Sequence, residues 1–180
     1  MKQLITVITR ETCINLLQQG KISVKSGTCC DTMNQIISKR VEEMTGFNSM
    51  NPVRFFNADV FVKHSILNTE ILMDFFPINS KDSIVIIARI PEDMILVQSS
   101  SVETELNLVC YHNLDNDDTE YVISQLKERV PADSEDTVYY APYLDKSWCK
   151  MCLCLNENFE TEENLMQFSS LTIEQLKCFE

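Results

Sequence analysis

Glycine is scarce in this chain of 180 residues and stands only at Gly20, Gly27 and Gly46. With so few glycines, neither a G-x-x-x-x-G-K-[ST] phosphate loop nor a G-x-G-x-x-G dinucleotide turn can be written, and no G-x-S-x-G elbow is present. Five prolines and no Gly/Ser-rich stretch argue against collagen-like or linker-rich organisation. No run of about 18 apolar residues occurs, so a spanning helix is not expected. The opening "MKQLITVITRETC" reads as a strand, not as an export signal, because Thr6, Thr9 and Arg10 interrupt its apolar stretch. An intracellular, cytoplasmic protein is expected. Histidine is also rare, with His64 and His112 alone, and neither lies in a motif.

Hydrophobic residues make up 44% of the chain, enough for a core in one domain spanning 1–180. "LITVI" reads as a strand, and Thr9 then caps a helix that Gly20 stops. "DTMNQIISKRVEEMTG" gives the clearest helical stripe, with Met33, Ile36, Ile37, Val41 and Met44 on one face of residues 31–45. "NPVRFFNADVFVKH" reads as strand, in one piece or in two joined at Asn57–Ala58. "SILNTEILMDFF" reads as a helix buried through Ile66, Leu67, Ile71, Leu72 and Phe75. "SIVIIARI" is apolar on both faces and fits a central strand. "DDTEYVISQLKERVP" reads as a further helix. The expected class is α+β, a single compact domain with a mixed β-sheet and packed helices.

What the chain does have is cysteine and acid. Eight cysteines are irregularly spaced, and three of them, Cys149, Cys152 and Cys154, follow the only tryptophan as C-x-x-C-x-C. A tetrahedral zinc site needs a fourth soft ligand, which Cys29, Cys30 or His112 could supply only through the fold. Reduced thiols packed as small hydrophobes, with Trp148, Met151, Cys152 and Leu155 facing inward, are the simpler expectation, and no metal or cofactor is expected. The charge is lopsided. Residues 1–90 carry ten lysines and arginines against eight acids, and residues 91–180 carry five against nineteen. The acidic half repels phosphate backbones, so nucleic acid is a poor partner. Lys21, Lys25, Lys39, Arg40 and Arg54 lack interleaved aromatics and make a thin case for the other half.

Three stretches, "ITVITRETCINLLQQGKI", "IIARIPEDMILVQSSSVETELN" and "SWCKMCLCLNENFETEENLMQFSSLTIEQLKCF", resemble an uncharacterised bacterial and phage family, the domain-of-unknown-function 3841 family. The likeness rests on Gly20, Pro91-Glu92-Asp93, Leu106-Asn107, Ser147-Trp148 and Ile173-Glu174-Gln175-Leu176. It implies a compact domain from a bacterium, phage or mobile element and supplies no activity. The tryptophans of that family's middle region are missing here. Two functions compete. One is a non-enzymatic interaction or regulatory module that uses the acidic half toward a protein partner, a basic one included, with no membrane involved. The other resembles the ADP-ribosyltransferase-like folds acting on NAD. In that reading Arg10 holds a phosphate, Tyr111 stacks on nicotinamide, and Glu103 or Glu105 stabilises the ribosyl cation.

Overall fold

The structure is a computed structural model, and it describes residues 1–23, 31–47, 51–76, 82–99, 137–155 and 160–177, with 31–34 and 97–99 described for backbone only. In chain order its strands are β1 (Lys2–Thr9), β2 (Lys21–Ile22), β3 (Val53–Asn57), β4 (Val62–Lys63), β5 (Ile66–Asn68) and β6 (Ser83–Ile90). They continue with β7 (Leu96–Ser99), β8 (Thr137–Ala141), β9 (Leu144–Asp145), β10 (Cys149–Cys154), β11 (Glu162–Asn164) and β12 (Met166–Gln167). The helices are α1 (Arg10–Gln19), α2 (Asp31–Thr45), α3 (Thr69–Phe75) and α4 (Ile173–Lys177). The class is α+β.

The chain falls into two compact units: Met1–Ile22, Asn57–Ile90 and Leu144–Glu180 form the first, and Ser23–Phe56 and Pro91–Tyr143 the second. In the second unit β8 pairs antiparallel with β3 on one side and β7 on the other. α2 packs there against β7 and the 3-10 turn Glu92–Met94. Its expected stripe is present. Ile37 and Val41 are buried, Ile36 and Met44 are half-buried, and Gly46 ends the helix at φ 73°. Only a residue tolerant of the left-handed region stops a helix this way. Met33 lies where only the backbone is described.

The first unit carries the strand order β12-β10-β6-β1. β6 is its centre as its two apolar faces require, with every residue buried except Arg89. α1 begins as its sequence dictates: the Thr9 hydroxyl accepts a hydrogen bond from the Thr12 N–H at 3.2 Å. It stops at Gly20, whose φ is 79° and whose N–H donates to the Leu16 carbonyl at 2.9 Å. Lys146 closes that terminus, donating its N–H to the Gly20 carbonyl at 2.8 Å and its Nζ to the Leu17 carbonyl at 3.3 Å.

One expected helix starts later than its apolar pattern suggests. Residues 66–68 are strand β5, and α3 begins only at Thr69, because Asn68 Oδ1 accepts from the Ile71 N–H at 3.1 Å and caps it. Ile66 and Phe75 are accordingly 37% and 36% exposed and do not form a buried stripe. Before β5 lies a two-residue hairpin loop, His64-Ser65, with φ of 52° and 67°. Two positive φ values make the mirror-image turn that matches strand twist, normally built from Asn-Gly. The segment 53–63 does break at Asn57–Ala58, where a 3-10 turn Ala58–Val60 separates β3 from β4. Phe76, ahead of Pro77, is extended and ends α3.

Candidate functional site

The thiols come first because the sequence singles them out. β10 pairs with β6 so that Cys149 faces Ala88, Cys152 faces Ile86 and Cys154 faces Ile84. Cys149 and Cys152 are three positions apart, so in a regular strand they would point to opposite faces. A bulge between Cys149 and Met151 inserts Lys150 as an extra residue and restores the phase. All three cysteines therefore share one face with Ile84, Ile86 and Ala88, and with Leu4, Thr6 and Ile8 of β1. A fourth thiol joins them from α1: Cys13, which is fully buried, interacts electrostatically with Cys149, Cys152 and Cys154. Sequence reasoning sought the fourth member at Cys29, Cys30 or His112, which lie outside the described residues. Cys13 sits on the helix stripe next to Leu16 and was legible only as core.

This layer holds its protons. Burial pushes the Cys13 thiol up to about 12, with Cys154 adding to it. Burial likewise takes Cys152 to about 12, helped by Cys154 and Cys13. Cys149 is pushed up by burial first, then by Cys13, Cys152 and Asp145, with Lys150 opposing. Cys154 rises through burial, and the Arg10 guanidinium opposes it. A neutral thiol in apolar surroundings is a weak nucleophile and a weak metal ligand. Among the described residues, no group of three or more His, Cys, Asp or Glu is placed to hold a metal ion. Cys13, Cys149, Cys152 and Cys154 are all free cysteines. As neutral thiols the four pack as small apolar groups.

Among the described residues of the first unit, a concave feature lies elsewhere, in a groove of about 510 Å³. Its floor follows from strand register. In the sheet β11-β5-β4, Leu67 pairs with Val62 and Glu163, and Leu67 is fully buried, so that row faces inward. The alternate residues face outward: Lys63 on β4, Ile66 and Asn68 on β5, Glu162 on β11. These outward residues line the groove, with Asp59, Val60, Phe61 and Ile71 as its walls and His64 from the hairpin loop. The Phe61 ring itself is buried, 2% exposed, and meets Phe75 edge-on at 5.2 Å.

Buried hydrogen bonds fix these walls. Thr69, 1% exposed, donates its hydroxyl to the Glu160 carbonyl at 2.7 Å and its N–H to the Thr161 carbonyl at 3.0 Å. That ties the start of α3 to the segment entering β11. Asn68 N–H donates to the Phe61 carbonyl at 2.8 Å, and Leu165 N–H to the Ser65 carbonyl at 3.1 Å. The groove is assembled from two separate stretches of chain, 57–76 and 160–167.

Of the residues considered for NAD chemistry, Arg10 opens α1 beside Cys154 and is not among the groove residues. Tyr111, Glu103 and Glu105 lie outside the described residues, as does the helix expected over "DDTEYVISQLKERVP". His64 lies in the groove, and His112 lies outside the described residues. Comparison with family models, with curated proteins and with solved structures finds no match.

Proposed function

We propose that the chain is a non-enzymatic interaction module that engages a protein partner through the groove beside the β4–β5 hairpin. The observation that supports this is a groove of mixed character, with Ile66 apolar among the polar residues of its floor and Val60 and Ile71 apolar in its walls. Ile66, Val60 and Ile71 offer hydrophobic contact, while Asp59, Glu162 and Lys63 supply polar groups around them. That combination of an apolar centre and a polar rim is what recognition of a protein surface uses. Three of the exposed large hydrophobics, Ile66, Met73 and Phe75, belong to this hairpin and to α3.

The test places a photo-crosslinking amino acid at position 66 of the whole chain, and separately at position 92. An adduct from position 66 is identified by mass spectrometry, and that protein is purified and mixed with this chain. The expected result is a stoichiometric complex that Ile66→Ser weakens. No protein adduct at position 66, together with NAD consumption that Arg10→Ala abolishes, would turn the reading to an enzyme.

A further inference from the structure

Resting on that interaction reading, we propose that the groove's occupant is an extended basic segment of a partner protein, with one apolar side chain seated against Ile66 and Val60.

Three observations select this occupant. The first is charge. The segments that build the groove, 57–76 and 160–167, carry Asp59, Glu70, Asp74, Glu160, Glu162 and Glu163 against Lys63 and His64. Asp59 and Glu162 line the groove itself, Glu163 lies on the inward row, and Glu70, Asp74 and Glu160 are exposed on the same segments, so the surround is acidic. Such a rim attracts lysine and arginine and disfavours acidic or phosphate-bearing partners. The second is shape. The floor is the outer face of a three-stranded sheet with β4 at its edge, where an extended segment can lie or add as a strand. The third is size. A volume of about 510 Å³ holds a short run of side chains, not a folded domain.

A second copy of the chain fits poorly. A two-fold contact sets the same patch against itself, so each acidic rim would meet its like. The chain's net charge of −12 adds to that repulsion.

The experiment uses three fluorescein-labelled ten-residue peptides. One alternates lysine and leucine, one replaces leucine with serine, and one replaces lysine with glutamate. Each is titrated by fluorescence polarisation into the whole chain, as wild type, I66S, D59K/E162K and E92K/D93K, with circular dichroism confirming each fold. The lysine–leucine peptide should bind at least about tenfold more tightly than either other peptide. I66S should erase the preference for leucine over serine, and V60S reads the same contact if I66S fails to fold. D59K/E162K should weaken binding about tenfold or more, whereas E92K/D93K, in the second unit, should change it by less than about threefold. Raising salt from 0.1 to 1 M should weaken the basic peptides as the Debye length falls from about 10 to about 3 Å.

Equal affinity for the leucine and serine peptides overturns the proposal. So does equal weakening by the two charge reversals, which is the signature of a generally acidic chain. A dimer by sedimentation that I66S dissociates overturns it in favour of self-association. If a reconstituted partner binds I66S and D59K/E162K as well as wild type, the occupant is wrong while the interaction reading stands. If neither peptide nor partner binds wild type, both fall.

Discussion

Alkylation of the native protein measures the thiol layer directly. A thiol at the ordinary value of 9.0 is about one-tenth thiolate at pH 8, whereas one raised to about 12 is thiolate in about one molecule in ten thousand. Ionisation alone therefore slows iodoacetamide at Cys13 and Cys152 by about 10³ relative to the unfolded chain. Burial adds to this, since both residues are fully inaccessible and react only through an opening of the fold. The assay is quenched alkylation at pH 8, read per cysteine by peptide mass spectrometry, with and without denaturant. Elemental analysis of the same sample checks that protection does not come from bound metal, and no stoichiometric zinc is expected. The pH dependence has a definite sign. A thiol raised in the folded state stays protonated there while the unfolded chain ionises. The stability this contributes is whole below pH 9 and is lost as pH rises toward 12. Native Cys152 labelling within tenfold of the denatured rate would refute the packing role and indicate an exposed, activated thiol.

Four further outcomes are expected. Ile37→Asp, at a position 2% exposed on α2, should cost roughly 3 kcal/mol or more and unfold the chain by circular dichroism. Ser65→Gly should raise the denaturant midpoint by an amount equivalent to roughly 1 kcal/mol, because glycine accepts the φ of 67° without strain. Thr69→Val should destabilise by about 1–2 kcal/mol, since it removes the hydroxyl donor to the Glu160 carbonyl. Deleting Lys150 should be tolerated within about 1 kcal/mol, because it removes only the bulged residue, while deleting Leu153 should unfold the chain by turning Cys152 and Cys154 to opposite faces.

Local chemistry made much of the fold legible. Thr9 and Gly20 bracket α1, and Gly46 ends α2, because caps act within a turn of the residue that makes them. β6 was readable as central because a strand covered on both faces loses its polar alternation. The strand at 66–68 was not readable, since its turn uses His64-Ser65 in place of Asn-Gly, and Ile66, Leu67, Ile71 and Leu72 mimic helical spacing. The groove was beyond local reading for a stronger reason. It joins Asp59, Ile66 and Glu162, and only strand pairing brings Glu162 opposite Asn68.

The cysteines and the groove together show why the most conspicuous sequence feature need not carry the function. A cysteine side chain is small and apolar when protonated. Placed at Cys149, Cys152 and Cys154, it lines the sheet face with little bulk, and Cys13 on the facing helix is small as well. Leu4, Ile8, Ile84 and Ile86 supply larger groups on the same face. The bulge at Lys150 fits the same account: without it, the spacing of Cys149 and Cys152 would turn one thiol away from the layer and bring Met151 or Lys150 into its row. Burial raises every one of the four thiols, so as free thiols they stay protonated and pack as small apolar groups. The groove residues have the opposite character. His64, Lys63, Asp59 and Glu162 are exposed, Ile66 is apolar yet 37% open to water, and the hairpin accepts a strained turn beside them. Exposed apolar surface and strained backbone both reduce the stability of an isolated chain. Their coincidence on one hairpin is accounted for if that hairpin meets a partner, which is why the decisive substitutions belong at Ile66, Asp59 and Glu162 and not among the thiols.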